Sequence, residues 1–372
     1  MRIGIDAKSL YTGPVSTRIV LQNLLPELFR LYPEIEWIVF LDKKDKERGF
    51  RFSGNKIRIV YVWAGMNQLS NLFVLPRYCR RLKLDLVLYQ TFPGVARGTA
   101  SVAFIHDVLF RDFPEFFTWK ERLYFTPLPF LTRKAVRVTA TTTFVAKDLV
   151  RYGYVRDPSR IDLVPLGVSP VFKPRELLDA SFLERVRTGL SLPDRYLLFV
   201  GRLNVRKNLE NLLKALPLLE DRDIPLIVVG KAEWKAPKLE PLLSAPGTGD
   251  RVRMTGGITD EELSVVYALA TLFCFPSFAE GFGLPPLEAM ASGVPVLVAD
   301  RTALPEVCGD AATYVRPEDP GSIALAINQL LGDRALYREK REMGLKRALS
   351  FTWGNTAMAF RKSIDNALKT PI

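Results

Sequence analysis

Short runs of β-branched, apolar and aromatic residues alternate with longer helical patterns along the whole chain. In the first half "RIGIDA", "EWIVFLD", "IRIVYVW", "DLVLYQ" and "SVAFIHD" read as strands. In the second half "YLLFVGRL", "PLIVVGK", "RVRMTGG", "LFCFPS", "PVLVAD" and "ATYVRP" do. Most of these runs are apolar throughout rather than alternating, so both faces of each sheet must be covered. Helices between the strands supply that cover, and the pattern predicts an α/β fold of doubly wound parallel sheets. It runs twice, on either side of the loose stretch "PLGVSPVFKPRELLDASFLERVRTGLSLPD". Two domains follow, 1–170 and 171–354, with no residue-level repeat between them. Such sheets bind ligands at the carboxyl ends of their strands, and two facing each other make a cleft.

With 372 residues, 48% of them hydrophobic, the chain can bury two cores. No apolar run reaches the roughly 18 residues of a membrane span. No secretory pattern precedes "MRIGIDA". Cys79, Cys274 and Cys308 are scattered, without disulfide or metal spacing. Cytoplasmic residence is the expectation. A lone histidine and no cysteine cluster argue against zinc. The net charge of +12 fits phosphorylated ligands, an anionic membrane surface, nucleic acid, or solubility alone.

Two stretches of the second half carry chemistry. In "FVGRLNVRKNLENLLKALPLL" a strand ends at Gly201, a loop carries Arg202, Arg206 and Lys207, and a helix starts after Asn208, a good N-cap. Cations before a helix N-terminus oppose its dipole unless an anion sits among them. The alternatives are a phosphate site and solvated loop cations. In "FAEGFGLPPLEAMASGVPVLVAD" two prolines suit the first turn of a helix and Gly293 its C-terminal end. That places Glu280 in the loop and Glu288 in the first turn. The glycines of "EGFG" allow close backbone approach to a ligand. A carboxylate accepts hydrogen bonds from a vicinal diol, so Glu288 suits a ribose and Glu280 a sugar hydroxyl. Glu288 equally suits a charge that only complements the helix dipole.

The E-x7-E pattern "EGFGLPPLEAMASGVPVL", with "VGRL…RKN" upstream, resembles the retaining GT-B glycosyltransferases of family 4. "RVRMTGGITDEELSVVYALA" and "LPEVCGDAATYVRPED" are similar at matching positions, and the first half keeps "HD" and "DLVPLGVSPVFKP". The resemblance implies two Rossmann-like domains facing a cleft. The C-terminal helix, about 355–372, would cross back onto the first domain, although the sequence also permits a simple end to the second. The implied donor is a nucleotide-diphosphate sugar, with no cofactor and no metal. Arg202 and Lys207 would neutralise the diphosphate, and Glu288 would bind the ribose. Glu280 and the backbone of Gly281, Phe282, Gly283 and Leu284 would contact the transferred sugar and distal phosphate. Lys231 and the strand end at Gly256, Gly257 and Ile258 would flank the base. The turn at Gly13 would approach the phosphates, and His106 would face the sugar. "YTGPVSTR" departs from the double glycine common in that loop.

Departure of a diphosphate calls for preorganised cations and N–H donors at the leaving oxygen, each worth about 3 kcal/mol. The resemblance implies retention by same-face attack, with the leaving phosphate assisting acceptor deprotonation. A glycosidase pair needs two carboxylates flanking the scissile bond, which Glu288 does not suit. "DRD" at 221–223 matches an Asp-x-Asp metal pattern but reads as a polar turn.

Residues 110–137 interleave aromatics with basic residues, and "LPRYCRRLK" adds a cationic cluster. Such surfaces suit an anionic membrane and a lipid-linked acceptor. The alternative packs the aromatics in the core. No nucleic-acid motif appears. The expectation is a hexosyltransferase, mannose from GDP-mannose favoured, acting on a glycan or lipid-linked acceptor in surface polysaccharide or glycolipid assembly. It would be peripheral on the inner face of the membrane. The rivals are a nucleotide-sugar epimerase and a non-catalytic partner subunit. His106, at the end of "SVAFI", would position the sugar through its ring or its carbonyl, and Asp107 would cap the segment that follows.

Overall fold

The computed structural model describes residues 1–50, 52, 54, 56–231, 239–245 and 247–370. The chain divides into two compact units, Met1–Gly167 with Thr352–Ile372, and Val168–Phe351. The first holds a seven-stranded sheet in the order β3-β2-β1-β4-β5-β6-β7. Its strands are β1 (Arg2–Asp6), β2 (Glu36–Asp42), β3 (Ile57–Val62), β4 (Leu86–Gln90), β5 (Ala100–Ile105), β6 (Arg137–Ala140) and β7 (Ile161–Leu163). The second holds a six-stranded sheet in the order β10-β9-β8-β11-β12-β13. Here β8 is Leu197–Val200, β9 Leu226–Val229, β10 Val252–Gly256, β11 Leu272–Phe275, β12 Val296–Ala299 and β13 Ala312–Val315. Every pairing is parallel.

Both sheets have the doubly wound order, which reverses between β1 and β4 and between β8 and β11. Ligands in such sheets lie outside the carboxyl ends of the strands at that reversal. All eleven strand runs read from the sequence are present. β6 and β7 went unread because "RVTA" and "IDL" are short and interrupted by polar residues, with little apolar signal.

The helices that matter here are α1 (Val15–Leu31), α2 (Trp119–Phe125), α3 (Leu128–Lys134), α4 (Leu209–Ala215), α5 (Asp260–Leu269), α6 (Leu284–Ala291) and α7 (Trp353–Lys369). Thr352 caps α7, its side chain accepting from the Asn355 amide. Ala357, Phe360, Ile364 and Ala367 form one buried stripe at helical spacing. That stripe packs on α1 and the first sheet, with the Phe360 and Phe104 rings 5.1 Å apart. Ser363 and Asn366 both donate to Asp162 at the start of β7. Residues 371–372 of the expected helix lie outside the described residues.

The aromatic segment 110–137 splits between its two readings. Phe110 and Phe125 stack in the core at 4.8 Å, whereas Trp119, Tyr124 and Phe130 are exposed. "DRD" is a polar turn before β9, in which the Asp221 carboxylate accepts from the amides of Asp223 and Ile224. Cys79, Cys274 and Cys308 are free and buried. No described helix is long and apolar enough to cross a membrane.

Candidate active site

At the reversal in the second sheet the chain leaves β8 through Arg202 into a 3-10 turn, Val205–Lys207. Asn204 caps that turn, its carboxamide oxygen accepting from the Lys207 amide at 3.2 Å. Asn208 behaves differently from its expected capping role. It is left-handed (φ +58°), and its Nδ2 donates to the carbonyls of Pro276 (2.8 Å) and Pro317 (2.6 Å). Asn tolerates that conformation, and its amide ties the cationic turn to the loop leaving β11.

That tie brings Lys207 to Glu280. The ammonium donates to Oε1 at 2.7 Å and lies 4.7 Å from the Phe275 ring. Arg206 Nη1 lies 3.1 Å from Oε2 and also donates to the Ala279 carbonyl, while the Ser277 hydroxyl donates to Oε1. Lys207 and Arg206 are therefore ordered partners of a carboxylate, and the solvated-loop reading fails for them. Burial alone would raise the Glu280 carboxyl. Arg206, Lys207 and the donated hydrogen bonds outweigh it and hold the group down at about 2. Burial lowers Lys207 to about 8, against the pull of Glu280 and with the push of Arg206 and Arg202. Arg202 is exposed beside this cluster.

The backbone of Glu280 is fixed as firmly as its side chain. Its amide donates to Thr302 Oγ1 at 3.0 Å, and its carbonyl accepts from Ala303. Thr302 has φ +57°, a conformation that costs a β-branched residue about 1–3 kcal/mol and that collects at functional sites. Gly281, Phe282 and Gly283 then lead into α6. Gly283 has φ +103°, and a Cβ there would meet Leu304 at 2.7 Å. The Phe282 side chain turns into the core against Phe351, leaving its backbone as the available part.

Glu288 is not in the first turn of α6. The helix starts at Leu284, so its first turn holds the two prolines and no acidic residue. Glu288 sits one turn later, buried, with Tyr267 donating to Oε2 at 3.0 Å. The dipole-complementing role therefore lapses. Burial raises the Glu288 carboxyl to about 7, opposed by the Tyr267 hydrogen bond and assisted by Asp260. Lys231 and Gly257 occupy the neighbouring strand ends. The Lys231 carbonyl accepts from Leu203, its side chain is exposed, and Gly257 lies against it. Ile258 is half-buried just beyond.

His106 and Gly13 belong to the first unit. His106 follows β5, its ring 4.5 Å from Phe104, and its carbonyl accepts from Thr141 Oγ1 at 3.2 Å. Its Nε2 is buried with no hydrogen-bond partner. Burial lowers the imidazole to about 4, so it is neutral at pH 7. Asp107 caps as expected, accepting from the Leu109 amide. Gly13 is demanded by its own loop, since a Cβ there would lie 2.2 Å from Ser9 Cβ. Ser277, Tyr267 and Thr302 were not singled out from the sequence as site residues, and Arg206 was read as a loop cation without its Glu280 contact. The serine after "FCFP" and the tyrosine of "VVYALA" were the available signals.

The fold and the Glu280 cluster define a protein of two doubly wound units with two cations gathered on one buried carboxylate beyond a strand end. Residues 182–347 match the family described as Glycosyl transferases group 1, and residues 19–172 match Glycosyltransferase Family 4. The chain belongs to the family 4 glycosyltransferases of GT-B architecture. It is 40% identical over 43% of its length to the O-antigen chain mannosyltransferase B of Escherichia coli, covering 43% of that protein. It is 32% identical over 61% of its length to the MMP alpha-(1->4)-mannosyltransferase of Mycolicibacterium hassiacum, covering 53% of it. The chain thus spans less than two thirds of these curated relatives. The sucrose-phosphate synthase of Thermosynechococcus elongatus superposes with a TM-score of 0.77 at 20% identity, covering 98% of each chain, which shows the shared fold.

Proposed function

We propose that the chain is a mannosyltransferase of surface-polysaccharide assembly. It moves mannose from GDP-mannose to a hydroxyl of a glycan or lipid-linked acceptor, with retention and without a metal or cofactor. The carrying observation is the Lys207–Glu280–Arg206 cluster at the reversal of the second sheet. Relatives named as mannosyltransferases support the choice of sugar.

In this reading Arg202 and Lys207 neutralise the diphosphate as it leaves. Charge building on the leaving oxygen is met by cations already in place, which is the efficient use of such groups. Glu280, held low, stays an acceptor for a hydroxyl of the transferred sugar. Gly281, Gly283 and Leu284 offer backbone donors at the start of α6. Glu288, once ionised, accepts from the ribose diol, and Lys231, Gly257 and Ile258 flank the base. His106 positions the sugar through its ring or through the second lone pair of its carbonyl, the first being taken by Thr141. A neutral imidazole at pH 7 positions rather than donates a proton as a cation.

The same reading places the protein on the inner face of an anionic membrane. Among the described residues every exposed tryptophan, phenylalanine and tyrosine (Trp63, Phe73, Trp119, Tyr124 and Phe130) lies within 63–130. Lys120 and Lys134 lie over the Trp119 and Phe130 rings at 5.7 and 4.2 Å. Aromatic rings edged by lysines suit the headgroup region. A thermal-shift panel of GDP-, UDP-, ADP- and dTDP-sugars tests the donor. A ligand at 100 times its Kd stabilises by about 2.7 kcal/mol. A shift with UDP-glucose and none with GDP-mannose would end the GDP-mannose assignment.

A further inference from the structure

The cations of the second unit are not all used alike. On the helix Arg334–Ala348, Lys340 donates to the Asp310 carbonyl, Arg341 to that of Gly293 and Arg347 to those of Val307 and Glu306. Arg334 and Arg338, at the start of the same helix, hold no such position. Among the described residues neither forms an ion pair, and the one bond from either guanidinium is Arg338 Nε to the Arg334 carbonyl at 3.3 Å.

Both line a pocket of about 240 Å³ at the amino ends of the second sheet's central strands. Its third cation is Arg195, two residues before β8, and its base is Thr271, the residue before β11. The pocket and the Glu280 cluster therefore lie at opposite ends of the same strands, roughly 13 Å apart along the four residues of β8.

The rest of the lining is already satisfied. The Tyr337 hydroxyl donates to the Thr271 carbonyl at 2.8 Å, and Thr271 Oγ1 accepts from the Tyr196 amide at 3.1 Å. Leu330 and Leu331, at the end of the helix Pro320–Gly332, supply an apolar wall. The Asp333 carboxylate accepts from the amides of Ala335 and Leu336, so these are closed to a ligand. What the pocket offers is guanidinium groups. All three arginines are exposed, and no carboxylate is among the lining residues. The one ion pair that any of them forms among the described residues is Arg195 with Asp221, at 3.5 Å.

The chemistry of the wall selects the ligand. A guanidinium fork matches phosphate oxygens two at a time. A carboxylate carries one charge and satisfies one arginine. A phosphate monoester carries nearly two at pH 7 and presents three acceptor oxygens, which suits three converging cations. The volume is below the roughly 300–1,000 Å³ of a drug-sized site. It suits a phosphate with a body of a few carbons against Leu330 and Leu331, and is too small for a nucleotide.

We infer that this pocket is an anion site distinct from the Glu280 cluster, and that Arg195, Arg334 and Arg338 hold a compact phosphate monoester in it. The inference goes beyond the transferase reading and does not depend on it. A free phosphate ester and a phosphatidic acid headgroup share this chemistry, and two arms of one test separate them. The first is calorimetric titration of the full chain with glycerol 3-phosphate. Binding should weaken at least tenfold in the double variant Arg334→Gln/Arg338→Gln and persist in folded Lys207→Met. It should strengthen several-fold from pH 5.5 to 7.5, as the second phosphate proton leaves near about 6. The arginines are exposed, so the double variant should keep the wild-type Tm. The second arm is cosedimentation with phosphatidylcholine vesicles, with and without phosphatidic acid. Sedimentation that needs phosphatidic acid and is lost in the double variant assigns the site to a headgroup. Sedimentation that is absent, or equal in both proteins, leaves the free ester as the source. Absence of glycerol 3-phosphate binding to the wild type, binding that survives the double variant, or binding lost in folded Lys207→Met instead each overturns the inference.

Discussion

Each sheet carries a buried lysine–carboxylate pair where its strand order reverses, and the two pairs are built differently. Lys8 and Asp6 in the first unit are each 2% exposed, 2.6 Å apart, with Asn71 bonded to both. Lys207 and Glu280 in the second are each 9% exposed, 2.7 Å apart, with Arg206 and Ser277 also on the carboxylate. The first pair is complete and neutral. The second has a surplus of cations around a single carboxylate, with Arg202 beside it. One topology thus gives a closed, neutral pair in one unit and a cation-rich carboxylate in the other.

The largest effect should come from breaking the sealed pair. Lys8→Met leaves Asp6 buried with only neutral donors, Asn71 and the amide of residue 8, to compensate it, and losing one partner of such a pair costs about 3–5 kcal/mol. Urea unfolding that follows the first unit alone is the measurement, because two units do not promise a single transition. A loss under about 1 kcal/mol would show that the pair does not hold the first unit together.

Lys207→Met should do the reverse. Glu280 keeps Arg206 and Ser277, so the second unit loses less stability than the first does in Lys8→Met. Turnover should fall about 10²–10³-fold, the usual cost of one preorganised donor at a developing charge. Nucleotide affinity should fall with it. If both survive, the diphosphate is bound elsewhere and the contrast between the two pairs has no functional meaning.

How much of this was legible follows from what sequence patterns encode. The second sheet could be read strand for strand, because most of its runs are apolar and bounded by glycine or proline, with the exposed "RVRMTGG" marked by its glycine pair. The short strand β6 and the edge strand β7 could not, since runs of three or four residues carry little periodicity. Lys207, Glu280 and Glu288 stood out by residue type and context. Their partners did not. Tyr267 reaches Glu288 across 21 positions and Ser277 meets Arg206 across 71, and no local pattern reports such contacts. Glu288 was misplaced by a turn because the prolines mark the start of the helix but do not count its residues. The arginine pocket of the second unit was invisible for the same reason, as Arg195, Thr271 and Arg334 come together only in the fold.

Glu288 sharpens the comparison by pH. Its folded value of about 7 lies above the ordinary 4.5. Stability from such a raised acid is fully present below about 4.5 and is lost as pH rises through 7. Glu288→Gln removes the titration, so its Tm should match or trail the wild type at pH 4 and exceed it at pH 8. The same variant should weaken nucleotide binding about tenfold or more at pH 8, where the wild-type carboxylate is ionised. A hydrogen bond to a charged group is worth about 1.5–3 kcal/mol. Calorimetric titration across pH 6 to 8.5 checks both parts. Between pH 6 and 7.5 wild-type affinity should rise with pH and the variant's should stay flat, and above that window the loss of the Lys207 proton near 8 should lower both.

Tyr267→Phe is the finest of these changes, since it removes one oxygen and keeps the ring packed on Phe172 and Phe273. The lost hydrogen bond is worth about 0.5–1.5 kcal/mol, or roughly two- to tenfold in nucleotide affinity. A diagnostic sign goes with it. The Tyr267 hydrogen bond lowers the Glu288 carboxyl against burial, so removing it should push that group higher. The pH at which nucleotide affinity rises should therefore move upward. A tyrosine that served only packing would lower Tm and leave that midpoint where it was. Should the midpoint stay fixed while Tm falls, Tyr267 would be a core residue like its aromatic neighbours. Glu288 would then owe its position to α6 alone.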